Sequence, residues 1–401
     1  MEYAEALEVL EQALKFGIDP SLEPIKEMCE ELGNPQNSFR CVQVAGTNGK
    51  SSVSRMTAAL LAAQGLKTAL YTSPELVRYP ERMEVGGQVV SDQRFADAIE
   101  AAQGAAARRG LEATEFELLT AGALWLFAQE GVQAAVLECG LGGRWDATSV
   151  CNPQVAVITG IALDHTHILG DTLEAIAAEK AAIIKPGCTA VLAPQLAARP
   201  VFDERIREVE ARLLEADPAA GEALSGALAH MPSYQRGNAA VALAAAQALA
   251  GPIPLDCARG ALSSLQIPGR FETLRAQPLL LIDAAHNPQS AQVLACEVER
   301  RFPLAQQRPA LLMGVLADKD VGGVVEALAP LFGRIVCTAS KSPRAVAPSE
   351  LSALAARANP AAQVQVAPGV PEALALLEGC DLIASGSITV AGEVKACWLG
   401  L

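Results

Sequence analysis

Apolar residues at Ala6, Leu7, Leu10, Ala13 and Leu14 follow helical spacing and predict a helix over 3–16. A second helix is predicted from Leu22 to Leu32, ending at Gly33. The period then changes. Cys41–Ala45 reads as a buried strand that runs through Gly46-Thr47-Asn48-Gly49-Lys50 into a helix over Ser51–Gln64, closed by Gly65. Thr68–Thr72 is the next strand, and Met83–Val90, with Gly86-Gly87 at its centre, predicts a hairpin. Helices are expected at Asp92–Arg109 and Phe116–Gln129, and buried strands at Ala134–Leu137 and Val155–Thr159. Apolar strands alternating with helices predict a parallel sheet covered on both faces. Residues 190–230 carry little motif content, and a helix follows over Gly237–Leu249.

A second alternation begins after Pro268-Gly269-Arg270. It predicts strands at Leu279–Asp283, Ala310–Met313, Arg334–Thr338 and Asp381–Ala384. Helices are predicted at Pro288–Arg301, Asp320–Phe332, Ser349–Ala358 and Pro371–Glu378. The fold class is therefore α/β: a P-loop-type parallel-sheet ATPase domain over 1–265, a linker over 266–272, and a smaller Rossmann-like α/β domain over 273–401.

Composition narrows the function classes. The chain has 401 residues, enough for two cores. The net charge of −14 disfavours a general nucleic-acid binder, so anionic substrates would need local Arg, Lys or metal. No apolar run reaches the length of a membrane span, and MEYAEALEVLEQ has neither the basic nor the apolar region of a secretory leader. The ten cysteines include no C-x-x-C pair, which reads as scattered thiols in a reducing, cytoplasmic setting.

The strongest local signal is the strand–Gly46-x-x-Gly49-Lys50-Ser51–helix unit. Glycines let backbone N–H groups approach phosphate oxygens, the helix N-terminus adds partial positive charge, and Lys50 adds a full one. A Ser or Thr hydroxyl at the helix start suits Mg²⁺. Val44 stands where the strict phosphate-loop pattern has its first glycine, so a plain Gly/Asn turn is the alternative. Glu138 directly follows an apolar strand and suits a metal-holding carboxylate, or equally a solvated strand end. Asp164-His165-Thr166 and Thr72-Ser73-Pro74 are further loops at strand ends.

Val44-Ala45-Gly46-Thr47-Asn48-Gly49-Lys50 resembles the phosphate loop of the Mur-ligase superfamily, and within it the folylpolyglutamate synthase/dihydrofolate synthase family. The resemblance runs from about Phe16 to Val394 and includes Leu32–Gln36, Glu179–Ile183, Pro268–Phe271, Ile282–Pro288 and Ser385–Ser387. It implies an ATP- and Mg²⁺-dependent ligase that joins L-glutamate to a folate or dihydropteroate carboxylate through an acyl phosphate. ATP would meet Gly46, Thr47, Asn48, Gly49, Lys50, Ser51, Ser52, Asn238, Arg270 and Asp283. Metal ligands would come from Ser51, Ser73, Glu138 and His165, with two Mg²⁺ ions in all. Lys180 is the position carbamylated in the family, with an ordinary exposed helix lysine as its plain alternative. Lys50, Lys180, Arg270 and His286 would be catalytic, and His286 and Ser387 would meet the substrate glutamate. Many relatives are monomers.

Departures from the family pattern are Glu75, which adds negative charge beside the implied metal, Ser51-Ser52 after Lys50, and Ile388-Thr389 after Ser387. Two other readings stay open. One is a different Mur-like amide ligase, although only about 45 residues precede the phosphate loop, too few for an added nucleotide-sugar domain. The other is a nucleotide-binding homologue without ligase activity. Dihydropteroate and reduced folate are not distinguished as acceptors.

Overall fold

The structure, a computed structural model, describes residues 1–17 and 20–401. It falls into two compact units. One comprises Met1–His230 and Gln235–Leu265; the other comprises Met231–Tyr234 and Gln266–Leu401. Residues 266–272, read from the sequence as a linker, thus cluster with the second unit, as does the short excursion 231–234.

The first unit is built on β1 (Arg40–Ala45), β2 (Thr68–Tyr71), β3 (Met83–Val85), β4 (Gln88–Val89), β5 (Ala134–Glu138), β6 (Val155–Ile158), β7 (Thr189–Leu192) and β8 (Arg212–Glu215). They form one eight-stranded sheet in the order β4-β3-β2-β5-β1-β6-β7-β8. Pairing is parallel except at the β2-β3-β4 hairpin end. The central strands are apolar because helices cover both faces: Val42, Val44, Val136, Leu137, Val157 and Ile158 have no exposed surface. Burying each such side chain stabilises the unit by roughly 1.5–3 kcal/mol. The helix Lys50–Ala63 packs on this sheet together with Gln235–Ala250, while Asp92–Arg109 and Glu115–Gln129 pack as a pair.

Spatial order explains the site. In the run β2-β5-β1-β6, neighbours register Tyr71 against Leu137, Val44 against Glu138, and Ala45 against Ile158. The loops holding Ser73, Glu138, Gly46–Gly49 and Thr159–His165 therefore leave one carboxyl edge side by side.

The second unit contains β9 (Glu272–Ala276), β10 (Leu279–Ile282), β11 (Ala310–Met313), β12 (Arg334–Cys337), β13 (Gln363–Val366) and β14 (Leu382–Ser385). Their order is β13-β12-β11-β14-β10-β9, parallel except for β9 against β10. The predicted helix over Pro288–Arg301 forms over those residues, with Asn287 accepting from Ser290 N as its cap. The predicted helix over Asp320–Phe332 is instead Val321–Leu328 followed by a 3₁₀ turn, and Asp320 is its cap. Four strands were not expected from the sequence: β7, β8, β9 and β13. The helices Arg199–Glu208 and Ile388–Leu399 were also not expected.

Candidate active site

The loop after β1 is shaped by two glycines. A Cβ at Gly46 would lie 1.8 Å from Thr159 Oγ1, and one at Gly49 would lie 2.9 Å from Asn238 Oδ1. Gly49 also has φ +89, in the left-handed region, where it directly precedes the helix Lys50–Ala63. The missing first glycine of the strict pattern is thus no obstacle to a tight loop. The loop is braced: Thr47 N donates to Gly160 O at 2.6 Å, Thr47 Oγ1 bonds both Ala162 N and O at 3.1 Å, and Thr159 Oγ1 donates to Asn48 O at 2.7 Å. Lys50 Nζ folds back onto Thr47 O at 3.1 Å.

Two hydroxyls compete for the metal side of that helix start, and their surroundings separate them. Ser51 Oγ donates to Glu138 Oε1 at 2.9 Å. Ser52 is buried and accepts from Gln235 Nε2 at 3.1 Å, facing the helix interior. Gln235 Oε1 accepts from Asn238 Nδ2 at 2.8 Å. Asn238 is the fourth residue of its helix and stands against Gly49.

Glu138 is 1% exposed, which removes the solvated strand-end reading. Ser73 lies beyond β2, and its Oγ is buried with no hydrogen-bond partner among the described residues. A buried hydroxyl without a partner is costly unless something else completes it. His165 takes φ +50 before a short helix, with its backbone N–H on Asp164 Oδ1 at 2.9 Å and its ring about one-third exposed. A non-glycine residue held in that region is uncommon and clusters at functional loops. Oxygen donors with one imidazole suit a hard cation that also binds phosphate oxygens. No three His, Cys, Asp or Glu side chains among the described residues gather as a closed metal cage.

Lys180 is 4% exposed, which overturns the exposed-lysine alternative. Burial, and then the like charge of Lys50, bring its amine down to about 7. Glu75 does not stand as a bare charge. It pairs with the buried Arg82, which also lies 3.5 Å from Glu115, so the added carboxylate is held in an ion pair within its own loop.

The second unit carries the remaining candidates. Asp283, 4% exposed at the end of β10, accepts from Phe271 N at 2.8 Å and Ala285 N at 2.9 Å. Burial raises its carboxyl, opposed first by Arg270. Its Oδ2 thus holds the residue after Arg270 and its Oδ1 the turn after β10, while Arg270 Nη1 donates to Gly269 O at 3.1 Å. His286 Nδ1 lies 2.9 Å from Ala284 O, which orients the ring. Ser387 caps the helix Ile388–Leu399 by accepting from Val390 N at 3.2 Å. Thr389, one of the departures, bridges Ser387 Oγ at 3.1 Å and Ser340 Oγ at 3.0 Å.

Sequence reasoning missed several residues at these edges. In the first unit Gln43, fully buried in β1, donates to Thr148 Oγ1 and Ser149 Oγ at 3.0 and 2.9 Å, fixing the glycine-rich loop after β5. In the second, Thr338 and Ser385, which register either side of Met313–Gly314, carry buried hydroxyls with no partner among the described residues. Single hydroxyls after strands carry no spacing signal that would have found them.

A phosphate-type loop on a parallel sheet, followed by a second α/β unit with its own polar edge, defines an ATP-using ligase of the Mur type. Residues 44–193 match the Mur ligase middle domain, and residues 269–391 match the Mur ligase, glutamate ligase domain. The chain is 36% identical over 376 residues to the dihydrofolate synthase/folylpolyglutamate synthase of Mycobacterium tuberculosis, covering 82% of this chain and 76% of that protein. It is similar to the solved Escherichia coli FolC in complex with DHPP and ADP, with TM-score 0.86, 29% identity, and coverage of 100% and 98% of the two chains. A bifunctional folylpolyglutamate synthase/dihydrofolate synthase with Mn, AMPPNP and L-glutamate bound matches with TM-score 0.84, 30% identity and coverage of 100% and 98%. The chain belongs to the folylpolyglutamate synthase/dihydrofolate synthase family.

Proposed function

We propose that this protein joins L-glutamate to the carboxylate of dihydropteroate or a reduced folate, using ATP. The observation that carries this is the edge where the braced Gly46–Lys50 loop, Ser51 on Glu138, and the buried Ser73 hydroxyl, without a partner among the described residues, lie together. Residues 1–265 act as the ATP-binding domain and residues 273–401 as the glutamate-ligase domain, with 266–272 as the linker.

The acceptor carboxylate oxygen attacks the γ-phosphorus of ATP, ADP leaves, and an acyl phosphate forms. The α-amine of glutamate then attacks the acyl carbon; phosphate leaves and the amine loses a proton. Backbone N–H groups of Gly46, Asn48 and Gly49, with Asn238 beside them, hold the nucleotide phosphates, and Lys50 neutralises charge on the oxygens that change most. Arg270, a permanently charged planar fork, meets the transferring phosphoryl group, and Asp283 fixes the backbone N–H of Phe271, the residue that follows it. Ser51, Ser73, Glu138 and His165 would hold Mg²⁺, which would supply further charge neutralisation when bound. Ser51 rather than Ser52 is the metal-side hydroxyl, because Ser52 is committed to Gln235. Lys180 as a carbamate adds a carboxylate-like group near Lys50. His286 and Ser387, with the neighbouring hydroxyls of Ser340 and Ser385, receive the glutamate.

The acceptor is resolved by ATP-dependent incorporation of labelled L-glutamate, with dihydropteroate and tetrahydrofolate tested separately. Product with both makes the enzyme bifunctional; with neither acceptor giving product or glutamate-stimulated ADP release, the folate assignment fails. Among the described residues no helix is long and apolar enough to cross a membrane. A monomer working in the cytoplasm fits these small-molecule substrates.

A further inference from the structure

Glu297 lies near the end of the helix Pro288–Arg301 with only 1% of its surface exposed. Its Oε1 accepts from Arg300 Nη2 at 2.6 Å and Arg301 Nε at 2.8 Å. Its Oε2 accepts from Arg300 Nε at 3.0 Å, Ser233 N at 3.1 Å and Ser233 Oγ at 2.9 Å. Burial pushes the carboxyl up, but the two guanidinium groups and Ser233 more than offset it, so it sits at about 2. A helix-surface carboxylate pairing with arginines three and four residues on is ordinary. A buried one that also receives both donors of a serine 64 residues away in the chain is not.

The network continues toward Arg270. The Arg301 guanidinium stacks 4.7 Å from the centre of the Phe271 ring. Phe271 has φ +51, a conformation an aromatic residue keeps only when its surroundings hold it, and its N–H is fixed on Asp283 Oδ2 at 2.8 Å. Arg270 is the residue immediately before it. On the other side, Gly269 N is held by Glu272 Oε2 at 2.7 Å, and Glu272 Oε1 pairs with Lys395 at 2.7 Å. The backbone bearing Arg270 is thus clamped from both directions inside the second unit.

We infer that Glu297 is a positioning residue for ligation: by gathering Ser233, Arg300 and Arg301 it seats Arg301 on Phe271 and so sets the direction of the Arg270 guanidinium. This rests on the reading that Arg270 meets the transferring phosphoryl group. The role belongs to the transition state rather than to substrate affinity, so its loss lowers kcat while leaving KM in place.

Arg301→Lys tests it with little structural disturbance, since the charge on Glu297 stays and the planar stack on Phe271 goes. A kcat lower by about ten-fold is expected, with KM for glutamate and acceptor within about two-fold. Glu297→Gln, which keeps the shape, should behave in the same way. The decisive measurement is the same pair of substitutions made on Arg270→Lys. If Glu297 acts through Arg270, Arg301→Lys has little further effect there. An equal loss in both backgrounds, or an unchanged kcat in Arg301→Lys and Glu297→Gln alike, overturns the positioning role. Wild-type turnover by Arg270→Lys and Arg270→Ala removes the reading beneath it, and the inference falls with it.

Discussion

The low basicity of Lys180 makes a prediction that joins stability to chemistry. An amine brought from 10.5 to about 7 is disfavoured as an ammonium by about 5 kcal/mol. With 4% exposure there is little solvent to reduce that figure. At pH 7.5 about three quarters of Lys180 is then neutral, against about one part in a thousand for an ordinary lysine. Only the neutral amine attacks CO₂: its lone pair forms the N–C bond, a C=O pair moves onto oxygen, and a proton leaves. The expected outcome is carbamylation of Lys180 at neutral pH, where surface lysines stay protonated. The sign of the stability change follows from the same numbers. Between pH 7 and pH 10.5 the unfolded chain holds a proton on Lys180 that the folded chain has released, so stability rises with pH. Lys180 alone contributes about 2 kcal/mol of that rise between pH 7 and pH 9.

Lys180→Met removes the amine and keeps the stem. Urea unfolding at pH 7 and pH 9 in CO₂-depleted buffer should show a steeper pH dependence for the wild type than for Lys180→Met, by that amount. Glutamate incorporation by the wild type should fall in CO₂-depleted buffer and return with bicarbonate, faster as pH rises through 7 and levelling above it. Equal pH slopes for the two proteins would refute the depressed pKa. Full turnover by Lys180→Met, or wild-type turnover indifferent to CO₂, would remove the carbamate from the chemistry.

Three other substitutions separate function from folding. Gly49→Ala drives a methyl to 2.9 Å from Asn238 Oδ1 at a φ that disfavours it, so ADP affinity measured by calorimetry should fall by about ten-fold or more while the core strands stay intact. Ser73→Ala removes a buried hydroxyl that has no partner among the described residues; thermal stability should hold or rise by up to about 1 kcal/mol while Mg²⁺-dependent turnover drops about ten-fold. A loss of stability in Ser73→Ala would mean that the hydroxyl serves the fold. Glu75→Ala leaves the buried Arg82 with only the longer contact to Glu115, which should cost about 2–4 kcal/mol in denaturant unfolding and leave the Mg²⁺ dependence of turnover unchanged.

The limits of the sequence reading have physical causes that these residues expose. Of the strands it found, β1, β2, β5, β6, β10, β11, β12 and β14 are covered on both faces, so their apolar runs are continuous, and the β3-β4 hairpin at a sheet edge was marked by Gly86-Gly87 instead. Three of the four it missed, β8, β9 and β13, stand at sheet edges; Glu272–Ala276 and Gln363–Val366 are half polar because one side meets water. β7 was lost inside a stretch read only for motifs. Positions of site residues were legible because loops at strand ends carry them. Their charge states were not, since those depend on what packs around them. Nothing in an Ala-rich helix says that Lys180 is buried, and nothing in Ser73-Pro74-Glu75 says that Arg82, seven residues on, turns back to pair with the glutamate. Glu297 is the extreme case. Read in sequence it is one more charge among Glu299, Arg300 and Arg301, and only the arrival of Ser233 from another segment turns it from a solvated helix end into a buried anchor beside Phe271 and Arg270. An acidic residue at a helix end thus reveals its role through the donors that reach it from elsewhere in the chain, and those are set by topology rather than by local pattern.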